Sequence, residues 1–236
     1  MKIESLKFEG VTFTHEGQDP IVQNVEFDFP MNEILWVKAE EGAGKSSLLQ
    51  ILAGLQIPQS GKYLINGENV CDMSFEEFLP YRLQIGYSFD YGGLINNRSL
   101  FDNLMLPLLY HKVISPEEAK ARVEGLLKEF GAEKFAHDRP AHVPGRIRKL
   151  TCLLRALVMR PQILLLDDPS VGLGQDSIYA FVDHVHRLRK EGHCKHVFIS
   201  SYDEKFMNLF EYQIIHLDEG QLYFQAVDPE KRVVHL

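Results

Sequence analysis

The sequence predicts an α/β fold built around a phosphate-binding loop, and three features carry that expectation. Ala39-Glu40-Glu41-Gly42-Ala43-Gly44-Lys45-Ser46 reads as G-x-x-x-x-G-K-S with only the opening glycine replaced. The apolar run Gln162-Ile163-Leu164-Leu165-Leu166 ends in two adjacent carboxylates, Asp167 and Asp168. Ser115-Pro116-Glu117-Glu118 is a capping box with proline at the first helical position, and it opens an amphipathic helix through Ala119, Val123, Leu126, Leu127 and Phe130.

Residues 2–13 and 21–29 alternate enough to read as strands. Glu33 to Val37 reads as a short buried strand and Ser46 to Leu55 as a helix, with Leu48, Ile51, Leu52 and Leu55 at helical spacing and Gly54 suited to its end. Strand, loop, helix is the order a phosphate loop requires. Backbone N–H groups and the helix N-terminus bind phosphate oxygens there, Lys45 neutralises the outer phosphates, and Ser46 reaches a magnesium ion. Gly42, Ala43, Gly44, Lys45, Ser46 and Ser47 are therefore the candidate nucleotide-binding residues. If position 39 needs a left-handed backbone, the Cβ of Ala39 costs roughly 1–2 kcal/mol there. Glu40 and Glu41 add two carboxylates beside a polyphosphate site.

Further strands are expected at Lys62 to Ile65, Ile163 to Leu166, His196 to Ser200, Gln213 to Leu217 and Gln221 to Phe224. The Ser99 to Tyr110 segment, the capped helix from Ser115 and a helix from about Ile147 form an inserted helical lobe. Phe101, Leu104, Leu106 and Leu108 read as core of that lobe.

At 236 residues the chain suits one α/β domain with an inserted lobe. No apolar run approaches the roughly 20 residues of a membrane span, and Met1 to Ser5 has no apolar signal region, so neither direct membrane insertion nor a secretory leader is expected. Cys71, Cys152 and Cys194 are scattered, which points to a reducing compartment. A formal charge of −8 argues against general binding to nucleic acid or anionic lipid. His184, His186, His193, Cys194 and His196 read as solvated residues rather than a metal site, because His184 and His186 point to different faces of a helix.

Taken together, these landmarks resemble the ATP-binding subunit of an ABC transporter over residues 1–228, in family order and spacing. Gln162 to Asp168 looks like the Walker B element, continued by Pro169-Ser170-Val171-Gly172-Leu173. Ile85 to Phe89, followed by Asp90-Tyr91-Gly92-Gly93-Leu94, looks like the strand and loop of the sensing glutamine. Phe101-Asp102-Asn103-Leu104, Leu106-Pro107-Leu108 and Leu154-Arg155-Ala156-Leu157 match further stretches. The Gly-Gly-Leu after position 90 and the Ser-Val-Gly after Pro169 are most similar to Mla-type ATPases of envelope lipid transport.

The resemblance implies a P-loop NTPase fold of ABC-ATPase type: α/β, a mixed sheet core with an antiparallel β subdomain, and a helical lobe at about residues 97–160 of a single domain spanning 1–236. It implies ATP and Mg as cofactors, with Ser46 and Asp167 on the metal and His15 where an aromatic stacks on adenine, although His15 also reads as a plain turn residue. As partners it implies a membrane permease, whose cytoplasmic helix docks beside the lobe, and a homo- or heterodimer with another ABC ATPase chain. The expected location is cytoplasmic, peripheral on the inner face of the cytoplasmic membrane.

Against that pattern, five positions depart. Asp90 stands for the glutamine; it can bind magnesium but cannot donate a hydrogen bond when ionised. Val143-Pro144-Gly145-Arg146-Ile147 stands for the signature L-S-G-G-Q, and Pro144 supplies neither hydroxyl nor N–H. Asp168 replaces the glutamate that handles the attacking water and is one methylene shorter. Gly174 replaces the D-loop aspartate, and Tyr202 the switch histidine; a phenol titrating near pH ~10 is a poor proton acceptor at neutral pH. Catalytic roles thus fall on the degenerate positions Asp168, Tyr202 and Asp90. Three readings compete: a nucleotide-binding subunit with weak or absent hydrolysis, a working ATPase using the substituted residues, and a pseudo-ATPase acting as an interaction protein.

Overall fold

Strand direction decides where the candidate residues meet. The computed structural model describes residues 1–17, 19–90 and 93–228. The chain opens with β1 (Leu6–Thr14) and β2 (Pro20–Asp28), then enters β3 (Ile34–Lys38) and, through a glycine loop, helix α1 (Lys45–Leu52). After β4 (Ser60–Ile65) and β5 (Glu68–Asn69), α2 (Phe75–Arg82) leads into β6 (Ile85–Ser88). Helices α3 (Leu100–Tyr110), α4 (Pro116–Glu129) and α5 (Gly145–Leu157) follow. β7 (Ile163–Asp167), α6 (Gln175–Lys190), β8 (His196–Ser200), the short α7 (Glu204–Met207), β9 (Gln213–Asp218) and β10 (Gln221–Gln225) complete the described chain.

A six-stranded sheet has the order β10-β9-β3-β8-β7-β6, parallel except for the antiparallel β9–β10 pair. A second, antiparallel sheet runs β2-β1-β4-β5. This is the mixed sheet with an antiparallel companion that the sequence predicts. β3 is an unbroken apolar run because both of its faces are covered. Leu35 and Val37 face a core shared with α1 and the antiparallel sheet, whereas Ile34 and Trp36 face the core of α3 to α6.

Helix α1 stops at Leu52, earlier than its spacing suggests, because Gly54 takes a φ of 65° and its N–H turns back to the Ile51 carbonyl at 2.9 Å. Leu55 is consequently outside the helix and exposed. The expected capping box at Ser115 is present, and Ser74–Glu77 and Ser99–Asp102 form two more. Each such cap contributes about 1 kcal/mol. Leu104 and Leu108 are fully buried as expected, while Phe101 is only partly so.

His196 corrects the expectation of solvated histidines: it opens β8, an interior strand of the sheet, is 2% exposed, and its Nδ1 accepts the Asn32 N–H at 2.7 Å. His184 is also buried, against Glu129 and Arg187, and Cys194 is fully buried; hydrophobic packing of α6 and β8 draws them in. Among the described residues no cluster of three or more His, Cys, Asp or Glu side chains is placed to hold a metal. Burial, reinforced by Arg189 and Lys195 and opposed by the Ile3 backbone, pulls the His196 pKa from 6.5 down to about 4. The unfolded chain then binds a proton that the folded chain refuses, so stability present above pH 6.5 is lost as pH falls toward 4. The loss approaches ~3 kcal/mol. Urea unfolding between pH 7 and 4 is expected to show a steeper decline for wild type than for His196→Leu; parallel declines would contradict it.

Candidate nucleotide-binding site

β3, β6, β7 and β8 are parallel, so the chain leaves all four at the same edge of the sheet, where α/β folds bind ligands. That edge gathers the glycine loop after β3, Asp90 after β6, Asp167 and Asp168 at the end of β7, and Ser201 and Tyr202 after β8.

The loop turns on Gly42 and Gly44, with φ of 79° and 96°. A Cβ on Gly44 would stand 2.4 Å from the Ile21 side chain, so that position needs glycine twice over. Ala39 is not among the residues of positive φ, and the strain expected there does not arise: the two later glycines make the turn. Glu40 and Glu41 are exposed. Leu48 is the first intrahelical donor of α1, to the Gly44 carbonyl at 2.9 Å, leaving the N–H groups of Lys45, Ser46 and Ser47 without a helical acceptor. That is a cradle for phosphate oxygens.

Lys45 is buried, and its Nζ lies 3.4 Å from the Ala39 carbonyl, 3.5 Å from the Glu40 carbonyl and 3.6 Å from the centroid of the Tyr202 ring. The Tyr202 hydroxyl donates to the Glu40 carbonyl at 3.4 Å. Ser46 is exposed at the helix start, whereas Ser47 is buried and bonded to His15 Nε2 at 2.9 Å. His15 is thereby tied to the loop helix, with Phe13 edge-on against its ring, rather than free in a turn.

Asp167 is buried and accepts the Ser200 hydroxyl at 2.9 Å. Asp168 takes a φ of 41°, which aspartate tolerates better than longer side chains, and its N–H donates to the Ser200 carbonyl at 2.9 Å. Burial, then the charges of Asp167 and Asp90, raise the Asp168 pKa against the opposing pull of Lys45 and Lys149. Gly42, Gly44, Lys45, Ser46, Asp168, Ser200 and Tyr202 line one cavity of about 230 Å³.

Asp90 lines a different cavity, of about 480 Å³, together with Gly145, Arg146, Lys149 and Gly172. Lys149 of α5 holds it: the Nζ lies 2.9 Å from the Asp90 carbonyl, 3.3 Å from its carboxylate, 3.4 Å from the Asp167 carbonyl and 3.5 Å from that of Phe89. Sequence reasoning missed Lys149, because its partners lie 60, 59 and 18 positions away; the usable signal was a lysine between the apolar positions Ile147 and Leu150. Tyr91 and Gly92 of the expected sensing loop lie outside the described residues.

In the stretch aligned with the signature, Val143 and Ile147 are buried with Leu100, and Arg148 donates to the Pro140 and Val143 carbonyls at 3.4 and 3.2 Å. Pro144 is the N-cap of α5 and gives it no side-chain bond, while Arg146 is exposed. Gly174 likewise N-caps α6 without a side chain.

Similarity to known proteins follows the same lines. The sequence pattern of a family described as "ABC transporter" matches residues 22–171. The "ABC transporter ATP-binding protein YtrE" of Bacillus subtilis (strain 168) is 30% identical over 190 residues, covering 80% of this chain and 82% of that protein. The "Lipoprotein-releasing system ATP-binding protein LolD" of Coxiella burnetii is 28% identical over 208 residues, 88% of each. A solved dimeric structure of "the ATP-binding cassette MJ0796 bound to ADP and Pi" superposes with a TM-score of 0.84 at 26% identity, covering 94% of this chain and 99% of that one.

Proposed function

Because the chain belongs to the ABC transporter family and is an ATP-binding subunit of that kind, we propose that it binds MgATP but hydrolyses it weakly or not at all. The observation that carries this reading is the Lys149–Asp90 pair: the residue standing where the water-holding glutamine belongs is drawn to an internal ammonium, beside an intact phosphate cradle. The loop N–H groups, Lys45 and Ser46 bind the phosphates, and His15 lies at the nucleoside end. Ser46 and Asp167 offer the hard oxygens that magnesium takes alongside phosphate oxygens and water. Magnesium, when bound, neutralises charge on the phosphates.

On this proposal the chain is a single domain spanning 1–236 with its lobe at about 97–160, dimerises with itself or a related ATPase chain, and docks on a membrane permease from the cytoplasmic side. Among the described residues no helix is long and apolar enough to cross a membrane. Envelope lipid transport is the cargo class we favour, from the Gly-Gly-Leu and Ser-Val-Gly matches to Mla-type ATPases.

A working ATPase is the competing reading, favoured by the raised pKa of Asp168, which makes its carboxylate more basic than a free aspartate. Turnover of the pure chain and of its complex with the permease separates the two. Loss of Lys45 removes a charge-assisted contact worth ~1.5–3 kcal/mol, so calorimetry is expected to find ATP affinity reduced roughly 10- to 100-fold in Lys45→Ala. Equal affinity in the two proteins would sink the nucleotide reading.

A further inference from the structure

We propose that a separate cavity, between α4, the end of α5 and α6, binds a phosphomonoester through Arg122 and Arg160. It measures about 470 Å³, within the ~300–1,000 Å³ of ordinary small-molecule sites, and shares no lining residue with the nucleotide cavity or with that of Asp90.

Three features that cost the fold stability meet in its lining. Gly125 stands exposed within α4, where glycine is a poor helix former. Its φ is not positive, and a Cβ built there meets nothing within 4 Å, so neither the backbone nor packing inside the chain requires glycine. Arg160, just past the end of α5, takes a φ of 52°, a left-handed conformation that glycine or asparagine adopts at lower cost. The third is a pair of like charges. Burial, then the neighbouring charge of Arg160, lowers the Arg122 pKa, against an opposing pull from Glu118.

Nothing within the described chain compensates Arg160. Arg122 has a structural task, since its guanidinium donates to the Val158 carbonyl at the end of α5 at 3.1 Å, and one cation suffices there. The carboxylates of the lining are engaged elsewhere. Glu129 is held by His184 and Arg187 at 2.8 and 2.6 Å, Glu118 accepts the Ser115 N–H at 3.1 Å, and Glu191 lies 4.0 Å from His193. Among the described residues Arg160 pairs with no carboxylate.

The donors define the missing counter-ion. A phosphomonoester carries a charge of about −1.5 to −2 at neutral pH, which balances two cations as a single carboxylate does not, and its three acceptor oxygens suit two guanidinium forks. The open space over Gly125 leaves room for the esterified body of the molecule against the helix backbone. A soluble phosphate ester and a lipid headgroup share this chemistry.

Calorimetry with glycerol 3-phosphate, and co-sedimentation with vesicles of phosphatidylcholine and phosphatidic acid, test the proposal on wild type, Arg160→Gly, Gly125→Leu and Lys45→Ala. Wild type is expected to bind; binding of the ester assigns a soluble ligand, and binding of the vesicles alone assigns a lipid headgroup. Arg160→Gly and Gly125→Leu are each expected to weaken binding about tenfold or more, the first by removing a charged donor and the second by filling the open space. Lys45→Ala is expected to leave it unchanged, which separates this cavity from the phosphate loop. Because both cavity variants relieve a local cost, each is expected to raise the Tm of the ligand-free protein, by about 2–4 °C for Gly125→Leu. Failure of wild type to bind either probe, or undiminished binding by Arg160→Gly, would overturn the proposal and leave the nucleotide reading untouched. A fall in Tm for both cavity variants would also overturn it, since Gly125 and Arg160 would then be serving the fold.

Discussion

Lys149→Met is expected to lower the unfolding free energy by about 2–4 kcal/mol, equivalent to roughly 5–15 °C in Tm for a domain of this size. Methionine preserves most of the packing volume but removes the ammonium. The carbonyls of Phe89, Asp90 and Asp167 then lose a shared donor, and Asp90 and Asp168 lose a compensating charge. The Lys149 side chain is 9% exposed and that of Asp90 42%, so water rescues part of the carboxylate and the figure stays below that of a fully buried pair. Adding Asp90→Asn to Lys149→Met should cost less than the sum of the single changes, because the charge left behind by the first is removed by the second. Strict additivity in thermal unfolding would dissolve the pair.

Asp168→Glu alone is expected to leave ATP turnover at least ~10²-fold below that of an ordinary transport ATPase. A positioned base contributes ~10²–10⁴ in rate only when it reaches the attacking water, and Asp90, Pro144, Gly174 and Tyr202 remain altered. The left-handed backbone at Asp168 adds a second penalty, because φ of 41° suits aspartate better than glutamate, at roughly 1 kcal/mol. A colorimetric phosphate assay on the variant, alone and with the permease, decides the matter. Turnover at an ordinary rate would place the whole defect in one missing methylene.

Much of the fold was written in local pattern. β3, β7 and β8 are apolar runs because both faces are covered, and such runs are visible without knowing their neighbours. The loop and its helix were legible for the same reason: glycines, lysine and serine act within a few residues of one another. What the sequence concealed depends on distance or on competing signals. Helix α2 has a capping box at Ser74 but a weak apolar face and an internal Pro80, so no period announces it. The Asp90–Lys149 contact joins residues 59 apart, and the Tyr202–Lys45 contact exists only because β3 and β8 run side by side. The buried state of His184 and His196 likewise follows from packing onto elements far along the chain.

The same long-range contacts bear on how the helical lobe can move. Lys149 fastens α5 to the loop after β6 and to the end of β7, and Glu129 at the end of α4 is clamped by His184 and Arg187 of α6, at 2.8 and 2.6 Å. A solid body pinned at two separated points keeps a single freedom, rotation about the line that joins the pins. Tilting of the lobe about any axis other than the line through Lys149 and Glu129 therefore has to open one of these contacts, and tilting about any axis has to shift the core that the lobe shares with Ile34 and Trp36.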